Sequence, residues 1–166
     1  MRWILGILLL GAMTGPRTIA AQQAQGPDFG PMEFLVGKCW VGSFPGGKMT
    51  DEHCFEWVFD RKFIRDRHVV RGGEQLYQGE TIYGWDSLAR KLSYWYWSSD
   101  GLTIFGRVEY TTSGISFPSR YGTPKGEVEL QVVWTWEGTD GYHVVQSQKV
   151  GSEWKPVMEM SLTRKP

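Results

Sequence analysis

The segment Lys38-Cys39-Trp40-Val41-Gly42-Ser43-Phe44-Pro45-Gly46-Gly47-Lys48-Met49-Thr50-Asp51-Glu52-His53-Cys54-Phe55 reads as two extended arms around a tight turn. Pro45-Gly46-Gly47-Lys48 is rich in the residues that turns require. An antiparallel hairpin closed symmetrically there opposes residues whose numbers add to 93, and this sets Cys39 directly against Cys54. A disulfide between them is expected, provided the chain reaches an oxidising compartment. Closing a loop of that length stabilises the fold by about 3 kcal/mol, chiefly by constraining the unfolded chain.

The same register places Trp40 opposite His53, Lys38 opposite Phe55 and Val36 opposite Trp57 on one face. Cys39, Cys54, Glu52 and Glu56 take the other face, because side chains alternate with period two. The aromatic face of Trp40, Phe55, Trp57 and Phe59 is the natural interior, and it carries His53 inward. A two-residue turn at Asp60-Arg61 then sets Ile64 against Trp57, Asp66 against Phe55 and His68 against His53. Arg65, Arg67 and Arg71 all point to solvent in that register, in agreement with the inward placement of Asp66 and His68. Across the Ser87 to Arg90 turn, Trp85 meets Leu92, Tyr83 meets Tyr94 and Thr81 meets Tyr96, and the tyrosine face is taken as interior.

Strand signals continue along the chain near 36–44, 49–59, 63–71, 76–86, 91–98, 102–111, 114–120, 126–137, 142–149 and 155–164, separated by Gly, Pro, Asp and Ser clusters. A short helical turn within Asp28 to Val36 precedes them, with Met32, Phe34 and Leu35 as its apolar face and Gly37 as its stop. About ten strands in meander order predict an all-β, antiparallel up-and-down barrel, since closure removes exposed edges. A two-sheet sandwich is the alternative.

At the N-terminus, Arg2, the apolar run Trp3 to Met13 and the small residues Thr18-Ile19-Ala20-Ala21 have the order of an export signal. The domain plan is therefore a signal peptide over 1–21, a flexible Gln/Gly/Pro leader over 22–31 and one barrel domain over 32–166. The expected destination is periplasmic or secreted, with no stable membrane insertion after cleavage. Loss of Arg2 and Arg17 takes Lys+Arg from 18 to 16 against 18 Asp+Glu, a net charge of −2. That balance, with basic residues interleaved among acids, excludes a nucleic-acid partner.

Phe34-Leu35-Val36-Gly37 followed by Trp40-Val41-Gly42, and Gly79 to Asp86 with Tyr83-Gly84-Trp85-Asp86 before a turn, resemble the lipocalin-like bacterial proteins of unknown function. These are related in fold to the nitrobindins and, more distantly, to fatty-acid-binding proteins. The resemblance implies a calycin-type barrel of about ten strands with a helix near one mouth, and no characterised activity. The usual glycine-any-tryptophan opening is here Gly37-Lys38-Cys39-Trp40, one residue longer, which implies a rearranged barrel bottom. Nitrobindins hold haem through a histidine on the last strand, and Val157-Met158-Glu159-Met160-Ser161-Leu162-Thr163 has none, so no haem or other cofactor is expected.

His53, Asp66 and His68 are the candidate chemical groups. Two imidazoles and a carboxylate suffice for catalytic zinc, yet their spacing matches no established motif, and a hydrogen-bonded polar cluster is the preferred reading. No metal site and no catalytic residue is assigned. The first functional expectation is an exported barrel that binds a small apolar or aromatic ligand through Trp40, His53, Phe55, Trp57, Asp66, His68, Tyr83, Tyr94 and Tyr96. An enzyme built on His53, Asp66 and His68, or a packed barrel acting through a protein partner, are the alternatives.

Overall fold

A computed structural model describes residues 27–166. The export signal expected over 1–21, and the first half of the leader (22–26), lie outside the described residues. A 3-10 helix, Gly30–Leu35, leads into eleven strands: β1 (Lys38–Ser43), β2 (Thr50–Val58), β3 (Phe63–Arg71), β4 (Tyr77–Asp86), β5 (Lys91–Ser98), β6 (Thr103–Arg107), β7 (Glu109–Tyr110), β8 (Gly114–Thr123), β9 (Gly126–Trp136), β10 (Gly141–Val150) and β11 (Glu153–Arg164). Every pairing between strands is antiparallel, and the order β6-β5-β4-β3-β2-β1-β11-β10-β9-β8-β7 closes through β6 and β8. Ten strands thus form a closed barrel, and β7 is an extra short strand on β8. Closure leaves no long free edge in the ring.

The hairpin registers are those expected, save at Val36. Cys39 faces Cys54 and Trp40 faces His53 across β1 and β2. His53 faces His68 across β2 and β3, and Tyr83 faces Tyr94 across β4 and β5. The Cys39–Cys54 disulfide is formed. It sits half-buried on the outer wall beside Glu52, whose carboxylate also binds Lys165. Such a bond suits an oxidising environment.

Three local expectations are corrected. The β2–β3 turn spans Phe59 to Lys62 rather than two residues, with Phe59, Asp60 and Arg61 all at positive φ. Phe59 is consequently swung out of the barrel and is 74% exposed, not part of the inner face. Val36 does not pair with Trp57: Gly37 takes φ 77°, its N–H donates to the Phe55 carbonyl, and Val36 forms a parallel bridge to Phe55. The strand expected over 102–111 breaks at Val108, which is buried and whose N–H donates to Leu92.

The helix plugs one end of the barrel. Phe29, Met32 and Leu35 are fully buried there, so packed structure begins upstream of the Met32 boundary. Trp40 donates its indole N–H to the Leu35 carbonyl at 3.2 Å, and Phe34 packs edge-on against Trp40 and Trp136. Trp57 packs on Phe29 and is covered from outside by Arg61 at 4.7 Å. Burying such rings contributes roughly 2–3 kcal/mol each. The left-handed Gly37 ends the helix and leads into β1, on which Trp40 reaches this plug.

Candidate functional site

Above the plug lies a cavity of about 220 Å³. One side is apolar, formed by Ile104, Phe117, Leu130, Val132, Trp134, Val144, Met160 and Leu162. Phe117, Trp134 and Tyr142 pack ring to ring at 4.6 and 5.1 Å, and Tyr83 and Tyr94 pack against Phe117 at 6.0 and 5.7 Å. The lining residues Tyr77, Leu102, Tyr121, Gln146 and Met158 are only half-buried and mark the mouth at the end opposite the helix.

The other side is polar and comes from β2 and β3. Alternation puts Asp51 and His53 on the inner face of β2 and Asp66 and His68 on the inner face of β3. The cross-strand pairing of His53 with His68 stacks the two imidazoles at 4.8 Å, inclined by 17°. His53 Nδ1 lies 2.8 Å from Asp66 Oδ2, and His53 Nε2 lies 3.2 Å from Asp51 Oδ2. Asp51 uses its second oxygen on His68 Nδ1 at 3.0 Å. His68 Nε2 meets the Tyr96 hydroxyl at 3.1 Å, and Tyr96 meets the Tyr77 hydroxyl at 2.6 Å. A continuous hydrogen-bonded chain therefore runs Asp66–His53–Asp51–His68–Tyr96–Tyr77 from deep in the cavity to its mouth.

Burial disfavours an imidazolium at His53, but the charge of Asp66 and hydrogen bonds to Asp51 and Asp66 outweigh it, and the pKa is pushed up to about 10. His53 is thus a cation at neutral pH and donates from both ring nitrogens. Burial opposes ionisation of Asp51 as well, and the two histidines overcome it, holding the carboxyl well below its ordinary range. The phenols of Tyr83 and Tyr142 are held protonated by burial and by the charge of Asp66, and Tyr96 by burial and by its bond to Tyr77. Asp66 Oδ1 and the Tyr142 hydroxyl are buried without a hydrogen-bond partner among the described residues. Such atoms require a polar partner supplied from elsewhere.

Glycine makes the polar wall possible. A Cβ on Gly79 would lie 2.3 Å from His68 Nε2 and 2.6 Å from the Tyr96 ring, so only glycine admits both rings at their hydrogen-bonding distance. Gly106 does the same for Tyr94.

Six residues singled out in the sequence line this cavity: His53, Asp66, His68, Tyr83, Tyr94 and Tyr96. Trp40, Phe55 and Trp57 share their inner face but lie at the plugged end and do not line it. Asp51 was not singled out, although its parity with His53 carries it inward. Phe117, Trp134 and Tyr142, on β8, β9 and β10, are not among the candidates the sequence offers. His143 sits outside, on Ser161 and Glu159 at 3.1 and 3.0 Å. No helix among the described residues is long and apolar enough to cross a membrane. Comparison with protein-family models and with curated proteins finds no match.

Proposed function

We propose that this is an exported, lipocalin-like barrel that binds a compact planar ligand of one or two rings. The carrying observation is the cavity itself, about 220 Å³ with an aromatic side, a polar side and a mouth. An apolar cavity of roughly 150 Å³ accepts benzene, whereas drug-sized ligands occupy about 300–1,000 Å³. The space here suits a bicyclic aromatic seated on Phe117 and Trp134, with a hydrogen-bond donor directed to Asp66 Oδ1.

Charge narrows the class. Asp51 and Asp66 line the cavity against the His53 imidazolium, and no lysine or arginine lines it, so carboxylates predominate. A carboxylate ligand of the fatty-acid type would be repelled, so neutral or cationic ligands are favoured. Export rests on the Arg2 to Ala21 pattern together with the disulfide, which persists in oxidising compartments. Titration calorimetry with indole, 2-naphthol, naphthalene and palmitate tests the reading. The bicyclic donors should bind one per chain, and palmitate should not. Binding of palmitate in preference to indole and 2-naphthol, or binding unaffected by Val144→Phe, which fills the cavity, would refute it.

A further inference from the structure

We propose that Asp51, His53 and His68 form a binding site for a divalent, zinc-type metal ion on the polar wall of the cavity. Their ligand atoms all lie within 4.8 Å of one another. Each histidine has one ring nitrogen turned toward Asp51 and the other held by a partner outside the set. His53 Nδ1 is held by Asp66 at 2.8 Å, and His68 Nε2 by Tyr96 at 3.1 Å. That is the arrangement by which carboxylates and hydroxyls orient metal-binding imidazoles and fix their tautomer.

Charge supports the same assignment independently. Two carboxylates sit in a cavity without lysine or arginine, and one oxygen of Asp66 lacks a partner among the described residues. A divalent ion supplies positive charge to a wall that carries two carboxylates. On binding, two neutral imidazoles and the Asp51 carboxylate coordinate the ion, and any displaced protons pass to solvent. Bonds of about 2.0–2.2 Å bring donor atoms to about 3.3 Å apart, so the imidazoles tilt toward the ion by about 1 Å. Three protein ligands leave the remaining positions open to the cavity, as in catalytic rather than structural sites.

The donor set escapes motif reading because its members are two residues apart on one strand and opposite on the next, as His53 is to His68. The inference goes beyond ligand binding and does not depend on it. The test uses the full chain, freed of metal by chelator and dialysed, and titrated with Co²⁺ and then Zn²⁺. The expected result is one Co²⁺ per chain with intense visible bands of four- or five-coordination, displaced by Zn²⁺ and lost on adding chelator. Zn²⁺ should shift the ring resonances of His53 and His68 and leave those of His143 in place. His53→Ala and His68→Ala should each weaken binding at least 100-fold, Asp66→Asn by about 10- to 100-fold, and His143→Ala not at all. Near-ultraviolet circular dichroism checks that each variant is folded. Wild-type protein showing only the weak spectrum of hydrated Co²⁺, or binding abolished by His143→Ala alone, would overturn the proposal.

Discussion

Asp66→Asn keeps the shape of a buried side chain, 2% exposed, and removes the charge that faces His53 at 2.8 Å. In the native protein His53 holds its proton up to about 10, against an ordinary value of 6.5. A raised value means that the stabilisation is complete below about 6.5 and is lost as pH rises through about 10. The cost of the substitution at pH 7 has an upper limit, because a destabilised imidazolium can release its proton. At about 1.4 kcal/mol per pH unit, releasing at pH 7 a proton held to about 10 costs about 4 kcal/mol. Asp51 remains as a second anionic partner, so a loss of about 2–3 kcal/mol is expected, within the range for breaking buried charge pairs. At pH 10.5 most of the imidazolium is gone and what is altered is chiefly the hydrogen bond from neutral His53 to the carboxylate, so the loss should shrink to about 1 kcal/mol. Urea denaturation of both proteins at the two pH values, followed by tryptophan fluorescence, gives the difference directly. Equal destabilisation at pH 7 and 10.5 would refute the assignment of a charged His53.

Three further outcomes are expected. Non-reducing peptide mapping should recover Cys39 joined to Cys54, and reduction should cost about 3 kcal/mol without abolishing folding; free thiols at both positions would contradict the register. Gly79→Ala pushes a methyl group into His68 and Tyr96 and should destabilise by about 1–3 kcal/mol while moving the His68 ring resonances; an unchanged spectrum would show that the two rings do not meet over Gly79. Haem titration should give no stoichiometric histidine-ligated Soret band, since β11 offers no histidine and the cavity holds only about 220 Å³; a band lost on His53→Ala would contradict this.

The hairpin registers were legible because a turn fixes the pairing of its own arms, and the alternation of aromatic with charged residues fixes which face turns inward. That is why Cys39–Cys54, His53–His68 and Tyr83–Tyr94 came directly from position. The β2–β3 register survived even though its turn is longer than expected, because Phe59–Lys62 is centred on the same point as Asp60-Arg61. Phe59 itself was misplaced, since a left-handed turn suspends the alternation that strands obey. Depth along the barrel axis has no signature in parity. Trp40, Phe55 and Trp57 face inward as read, but the helix closes over them and the cavity begins beyond, at His53 and Asp66. Phe117, Trp134 and Tyr142 lie on β8, β9 and β10, which pair as consecutive hairpins, but only closure through β1–β11 and β6–β8 makes that wall and the histidine wall parts of one ring. Asp51 shares the inward parity of His53, but nothing in the sequence marks it as the bridge between both histidines. The charge of Asp66, with hydrogen bonds to Asp51 and Asp66, outweighs burial, so His53 gains rather than loses proton affinity.

Whether the cavity holds a compact aromatic molecule is decided by native mass spectrometry of protein purified from its own compartment, beside Val144→Phe. The wild type should carry a stoichiometric adduct with the mass of a one- or two-ring compound, absent from the variant. Wild-type protein that carries no such molecule and takes up neither indole nor 2-naphthol when they are supplied would contradict it.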